Sequence, residues 1–518
     1  MTQAEAGPGT YVDRILENAR DRGDREALVH GGRRLSYAEV GATVCGLAAA
    51  LHQRGVSKGD AVALLTGNSP DAILAGLAIH LLGCRLVFTP PDAASRERAA
   101  FIRRADTVAL IVDPRLPVSA DLAAQARVRL VFSLGPGGTG EDLLALAAEQ
   151  PASRPPVRAE PDDVSTVFHT GGSTGMPKMV LHRHPYYDAL IFGADPRYFF
   201  FPEPYRFLVP TPLTHTSGHI CALVTLLVGG TVVLLDGFDA ATVIDTIRRE
   251  GITTTIMMPA MLYELLDHPG FPDGGFPTLA RLNYGGAPSS QTRLREALRR
   301  IGPILRQTYA LTEAPTIAVL LPEDHDESVS GRLRSCGKPM SALIEVSLRD
   351  EAGQVGPGAV GEVCVRGSLL MAEYLKDPEL TATAMRGGWL HTGDLGRFDD
   401  DGYLHIVDRL TDVIITGNRA AGVYAANVYT NLLTDVLMEA PGVRAAAALG
   451  LPDDFYGEAV HVACVADPGA GVEAEDLRKR VVAALGPTYE PRTVTFVDAI
   501  PYTAFGKLDK PALRALIS

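Results

Sequence analysis

Between residues 35 and 92 the chain alternates long helical periodicities with short apolar runs, and this pattern restricts its fold more than any other feature. LSYAEVGATVCGLAAALHQRG (35–55) repeats apolar residues at helical spacing and stops at Gly55. AVALLTG (61–67) has strand length, DAILAGLAIHLLG (71–83) is a second helix closed by Gly83, and RLVFTPP (85–91) reads as the next strand. Such alternation argues for an α/β sheet with crossover helices. It resumes up to about residue 330. Shorter strands with turn signals follow, including EVCVRG (362–367) and a hairpin over GRFDDDGYLHIVDR (396–409). The last hundred residues return to a small α/β pattern. LGPGGTGED (134–142) and QPASRPPVRAEPDD (150–163) read as connections. The second is expected to separate an N-terminal subdomain from the next.

With 518 residues and roughly 150 per domain, the chain has room for three to four lobes with real cores. Its 48 basic and 61 acidic residues leave a net charge of −13. Nothing resembles the basic stripe that a nucleic-acid binder needs. The longest uncharged apolar run, Ile220 to Leu235, is sixteen residues broken by Gly229-Gly230. A membrane span needs about 20, so a buried helix ended by the glycines and followed by a TVVLL strand is expected. The six cysteines are scattered without a C-x-x-C pair, and the N-terminus lacks the charged-then-apolar form of a signal peptide. A cytoplasmic, reducing location is expected. Only seven of the 48 basic residues are lysine: 58, 178, 338, 376, 479, 507 and 510.

Five segments carry chemistry. Phe168-His-Thr-Gly-Gly-Ser-Thr-Gly-Met-Pro-Lys178 follows an expected strand, STVFH. Its glycines and hydroxyls let backbone N–H groups approach phosphate oxygens, and its lysine adds a point charge. The ATPase P-loop spacing does not fit, because Pro177 separates Gly175-Met176 from Lys178. Plain polar loops share this composition. Asn283-Tyr-Gly-Gly-Ala-Pro288 lets a ligand lie against backbone, or is a simple turn. Gln307-Thr-Tyr-Ala-Leu-Thr-Glu313 offers a ring for a purine, a hydroxyl for phosphate and a carboxylate for a hard cation. Asp394 and Arg409 stand at the ends of the hairpin, where they could serve a ribose or form a surface ion pair. Pro501-Tyr-Thr-Ala-Phe-Gly-Lys507 is a turn presenting a lysine.

Together and in this order, these segments resemble the adenylate-forming superfamily of acyl-CoA synthetases, peptide-synthetase adenylation domains and luciferases. GVSKGD, GNSPD, PLTHTSG (212–218) and GLPDDFYGE (450–458) extend the likeness over nearly the whole chain. The resemblance implies a large N-terminal domain (1–408) of α/β subdomains plus a small β-barrel-like part. A small mobile α+β domain (409–518) would carry the catalytic lysine. It implies that a carboxylate attacks the α-phosphate of ATP to give an acyl-adenylate, which a thiol, usually that of coenzyme A, then consumes. Carried over residue by residue, Thr170, Gly171, Gly172, Ser173, Thr174, Gly175 and Lys178 would clamp the β- and γ-phosphates. Gly286, Ala287, Pro288 and Tyr309 would frame adenine, Thr312 would touch the α-phosphate, and Glu313 would hold Mg2+. Asp394 and Arg409 would bind ribose, and Lys507 would be the catalytic lysine. The acid would lie among His215, Tyr284, Gly285, Ala310 and Leu311, with His215 also near the chemistry. Thr211–Ile220 lacks the aspartate that holds an amino-acid ammonium, so an apolar carboxylic acid is the expected substrate.

The sequence departs from the family at three places. Ala310 stands where glycine is usual. Thr411 replaces the Lys or Asp of the hinge and is stiffer about χ1. From Gly417 to Tyr429 the chain spans thirteen residues, an insertion of seven, within an alanine-rich loop NRAAGVYAAN. The adenylation residues are intact. An alternative acceptor is therefore kept beside coenzyme A: an acyl carrier protein or a downstream acyltransferase that takes the adenylate.

Overall fold

The computed structural model describes residues 9–91, 93–119, 121–157, 159–170, 177–183, 186–187, 202–329, 331–341, 343–418, 423–503 and 507–517. Two large sheets form its frame. The first has eight strands, with Arg85–Phe88, Ala61–Leu65, Thr107–Val112 and Leu130–Ser133 as parallel neighbours at its centre. The second has nine. Thr231–Leu234, Arg206–Val209, Thr254–Met257, Arg281–Gly285 and Leu305–Tyr309 run parallel through its middle, with short antiparallel edges.

The alternation at 35–92 gives the elements expected of it. Ser36 and Glu39 form a reciprocal capping box at the start of helix Tyr37–Gln53, leaving two fewer orphan N–H groups. Gly55 and Gly83 take positive φ just past the two helix ends, a conformation that costs an L side chain energy. Helix Pro70–Leu81 is buried at all but one of its positions, as an apolar-all-round helix must be. It lies with Thr216–Leu227 between the two sheets, in a core shared by Leu64 and Phe168 of one sheet and Phe207 and Val209 of the other. Each fully buried Leu, Ile or Phe there contributes about 1.5–3 kcal/mol of transfer free energy. Thr216–Leu227, then Gly229 at φ +80°, then strand Thr231–Leu234 is the helix–glycine–strand order expected for the apolar run. Among the described residues no helix is long and apolar enough to cross a membrane.

Two expectations are corrected, on the connection at 150–163 and on the inserted segment. The connection at 150–163 does not separate subdomains, because strand Ser165–Thr170 beyond it pairs in parallel with Arg85–Phe88 of the first sheet. Strand Glu26–His30, although N-terminal, belongs to the second sheet beside Thr231–Leu234. The inserted segment is not simply a loop: Ile414–Asn418 and Val423–Val428 pair as an antiparallel ribbon.

A five-stranded antiparallel sheet includes the hairpin Leu390–Phe398/Leu404–Arg409. The C-terminal part packs helices Thr430–Met438 and Ala474–Leu485 on the three-stranded sheet Val443–Asp453, Gly457–Ala466 and Thr493–Phe496. The architecture is α/β, with a large N-terminal and a small C-terminal domain.

Candidate functional site

Ligands of open parallel sheets bind outside the carboxyl ends of the strands, and the predicted residues gather there. The second sheet ends at Tyr309 and continues as Ala310, Leu311, Thr312 and Glu313, all half-buried. The hairpin register places Asp394 directly opposite Arg409, whose Nε donates to Asp394 Oδ1 at 2.9 Å. The Tyr309 hydroxyl donates to Asp394 Oδ2 at 2.6 Å. Asp394 is 3% exposed, and its burial raises the carboxyl above the ordinary aspartate range, against the pull of Arg409. This carboxylate is held by two groups that a diol would engage. Its own strand is pinned from below by Glu362, which accepts from the Gly393 N–H at 3.1 Å and from the His391 ring at 2.6 Å.

Glu313 belongs to a second chain of contacts. The Tyr374 hydroxyl donates to Glu313 Oε1 at 2.7 Å, and Lys178 Nζ lies 5.1 Å from the centroid of the same ring. Lys178 starts the strand Lys178–Arg183, every residue of which pairs with Ser165–Thr170, so Thr170 and Lys178 are cross-strand partners. Gly171, Gly172, Ser173, Thr174 and Gly175 lie outside the described residues. Two side chains here had no sequence signal. One is Tyr374, and the other is buried His182, whose Nε2–H donates to the Thr312 carbonyl at 2.7 Å. Burial pushes His182 down to about 4.

His215 caps helix Thr216–Leu227, its Nδ1 accepting from the Ser217 hydroxyl at 2.9 Å, which leaves the ring proton on Nε2. Burial, then Lys507 and His169, lower it to about 4, so the ring is neutral at pH 7. Lys507 reaches the same place from the far end of the chain. Its turn is closed by the Tyr502–Leu508 bridge, by Thr503 N–H to the Lys507 carbonyl (2.7 Å), and by Lys507 N–H to the Thr503 hydroxyl (3.3 Å). The Lys507 residue is exposed. Desolvation, then Arg409, lowers its ammonium below the ordinary lysine value, while Glu313 and Asp394 act to raise it. Lys507 therefore lies within electrostatic reach of Arg409, Glu313, Asp394 and His215.

The glycine segment is a tight turn. A Cβ on Gly285 would stand 2.2 Å from the Thr308 carbonyl oxygen, and Gly286 has φ +82° with Met258 against it. Ala287 is half-buried and Pro288 exposed. Tyr284 is not brought to the cluster. Its side chain is 1% exposed in the core beneath helices Ala240–Glu250, Pro259–Asp267 and Gln291–Ile301, and its hydroxyl donates to His325 Nε2 at 2.9 Å. Strand alternation turns Tyr284 away and leaves its neighbours on the cleft side.

A sequence description of AMP-binding enzymes matches residues 15–375, and that of the AMP-binding enzyme C-terminal domain matches 434–507. The chain is 34% identical to the medium/long-chain-fatty-acid–CoA ligase FadD8 of Mycobacterium tuberculosis, over 98% of this chain and 90% of that one. It is 32% identical to the fatty acid–[acyl-carrier-protein] ligase ScoC of Streptomyces coeruleorubidus, over 98% and 96%. Among solved structures, the amide bond synthetase McbA from Marinactinospora thermotolerans is 38% identical and superposes with a TM-score of 0.84, over 98% and 99% of the two chains. A buried carboxylate paired with Tyr309 and Arg409, with lysines entering from two directions, agrees with these likenesses, and the chain belongs to the AMP-binding enzyme family.

Proposed function

We propose that this protein activates an apolar carboxylic acid with ATP and transfers the acyl group to coenzyme A. The observation that supports the reading is that Lys507, from the C-terminal end, lies within electrostatic reach of Glu313, Asp394, Arg409 and His215. In the first step a carboxylate oxygen attacks the α-phosphorus, the bond to the bridging oxygen of the β-phosphate breaks, and pyrophosphate leaves. Negative charge then grows on the five-coordinate phosphorus. A partly desolvated ammonium aimed there stabilises it more than it stabilises bound ATP. In the second step the thiol sulfur attacks the acyl carbon, and AMP departs with the electrons of the broken C–O bond.

The remaining roles follow from chemistry. Asp394 and Arg409 take the ribose hydroxyls, with Tyr309 holding Asp394 and covering the purine together with Gly286, Ala287 and Pro288. Thr170, Gly171, Gly172, Ser173, Thr174, Gly175 and Lys178 take the outer phosphates, and Thr312 the inner one. Neutral His215 offers its Nε2 proton to the acid, whose body lies against Gly285, Ala310 and Leu311. Glu313 is a half-buried carboxylate among phosphate-binding cations, and its oxygen chemistry suits Mg2+. Bound there, Mg2+ would neutralise phosphate charge. The moving unit is residues 409–518, turning about Thr411. A location in the cytoplasm accords with the scattered cysteines.

A second reading is favoured by the ribbon after the hinge and by the 38% identity to an amide bond synthetase: the adenylate passes to an acceptor other than coenzyme A. A carrier-protein thiol and an amine are the two chemistries that the names of the relatives suggest. One assay separates the readings. Pyrophosphate and AMP are measured with a panel of fatty and aromatic acids, alone and with coenzyme A, a phosphopantetheinylated carrier protein or a primary amine. Acyl-CoA formation at the adenylation rate supports the first reading, and pyrophosphate without acyl-CoA sinks it.

A further inference from the structure

The catalytic chemistry leaves unused a cluster of charged side chains where the C-terminal helix Thr430–Met438 meets the large domain. Arg334 lies in a single turn, Arg332–Arg334, well before the hinge. Its Nη2 donates to Glu439 Oε1 at 2.8 Å, and its Nε is 3.3 Å from Asp435 Oδ2. The Gln291 amide oxygen, turned toward the guanidinium, accepts from Nη2 at 3.0 Å. Beside it the Thr292 hydroxyl donates to the Met438 carbonyl at 3.5 Å. From the other side Arg480 holds the same helix end, donating to the carbonyls of Val436 (3.1 Å) and Glu439 (3.2 Å). The helix is thus fixed within its own domain by Arg480 and to the large domain by Arg334 at one end and by Asp408, which accepts from the Thr430 N–H and hydroxyl, at the other. Nearby, Arg444 pairs with Asp267 at 3.6 Å.

We propose that Arg334 is a positioning residue for adenylation: by clamping Asp435 and Glu439 it holds the small domain in the orientation that places Lys507 over the site. This rests on the proposed adenylation chemistry and names the contact that selects its conformer. The helix packs through Leu433, Val436 and Leu437 into the core of the three-stranded sheet, so it moves with its domain as a unit. Lys507 belongs to that domain and, among the described residues, hydrogen-bonds within its own turn, so its place depends on how the domain docks. Arg334 and Glu439 are exposed and Asp435 is half-buried, and a half-buried charge matters most through what the loss of its partner leaves behind. Burial already raises the Asp435 carboxyl to about 6 despite Arg334. Without the guanidinium, a docked domain would keep Asp435 facing the large domain with no cation beside it and leave Glu439 only Arg480 at 3.8 Å, whereas a rotated domain would carry both away from this surface.

The test is Arg334→Ala, read on each half-reaction and on domain orientation. Acid-dependent pyrophosphate exchange should fall about tenfold, equivalent to about 1.4 kcal/mol, with the KM for ATP unchanged. Thioester formation from supplied acyl-adenylate should stay within about twofold. Arg334→Glu should lower exchange further, and adding Glu439→Arg should restore much of it. Spin labels on Val360→Cys and Leu516→Cys, at exposed positions of the two domains, should give one dominant distance that broadens in Arg334→Ala. Equal losses in both half-reactions, or an unchanged distance distribution, would overturn the proposal. If the unsubstituted protein shows no pyrophosphate exchange, the proposed function fails, and the label distances still decide whether Arg334 sets the docking.

Discussion

Lys178 starts a strand whose six residues all pair with Ser165–Thr170, while Lys507 stands on a turn closed by one bridge, Tyr502 to Leu508. Beside the first lies the buried ring of Tyr374, 5.1 Å from the ammonium. Around the second, the side chain is exposed, and two of the charged groups that act on it, Glu313 and Asp394, belong to the other domain. Both present an ammonium to the same cleft. The first is fixed by a hydrogen-bond ladder, and the second is delivered by docking. A site that must hold ATP firmly yet exchange its second partner needs this inequality. On the proposed mechanism the fixed cation is there at every stage, and the docked one leaves once pyrophosphate has gone.

Acid should break the two halves unequally, and this is the largest effect expected. His182, His219 and His325 are buried in the large domain and lowered to about 4, 3 and 4 by desolvation. Below the unfolded value of about 6.5, the unfolded chain takes up protons that the folded one refuses. Stability is thus lost as pH falls from about 6.5 toward 4, up to about 3 kcal/mol for each ring. Together these approach the whole stability of an ordinary domain, about 5–15 kcal/mol. After residue 409 the only histidine is His461, which is half-buried. Calorimetry between pH 7 and 4.5 should show the large domain's transition falling steeply while the small domain's changes little. Parallel shifts would contradict this assignment.

Lys507→Ala sharpens the comparison next. Loss of one preorganised charge at the developing anion should slow pyrophosphate exchange about 10²–10³-fold. Acyl transfer from supplied adenylate should change much less, since the small domain has then turned away. Equal losses would mean that the lysine serves both steps or holds the fold. Tyr374→Phe is the smallest probe. It removes the hydroxyl that fixes Glu313, keeps the ring beneath Lys178, and should raise the KM for ATP about three- to tenfold, the net worth of one ordinary hydrogen bond of about 1 kcal/mol. Titration of the Mg2+ requirement checks it, and an unchanged requirement would leave Glu313 without the role proposed for it.

The sequence foretold what is local. Helix periodicity, the glycines at 55, 83 and 229, and the hairpin that sets Asp394 against Arg409 all depend on residues close in the chain. It was silent where partners are distant. Nothing in EALVH says that it will lie beside TVVL two hundred residues on, and nothing in QPASRPPVRAEPDD says that the next strand rejoins the sheet before it. Tyr284 illustrates a finer limit. The segment around it was read correctly as a turn at a strand end, but strand alternation sends this ring into the core and leaves Gly285 facing the cleft. Tyr374 could not be found locally, because its role comes from a two-residue strand, Glu373–Tyr374, pairing with Val180 and Leu181.

The place of Glu26–His30 in the second sheet has a consequence for how the molecule is made. That strand leaves the ribosome among the first, yet its parallel neighbour Thr231–Leu234 follows roughly 200 residues later. At about 5–20 residues per second, the interval is on the order of 10–40 s. Throughout it the first sheet can assemble while an apolar edge waits for its neighbour, so a ribosome stalled before residue 231 would hold a nascent chain prone to aggregate.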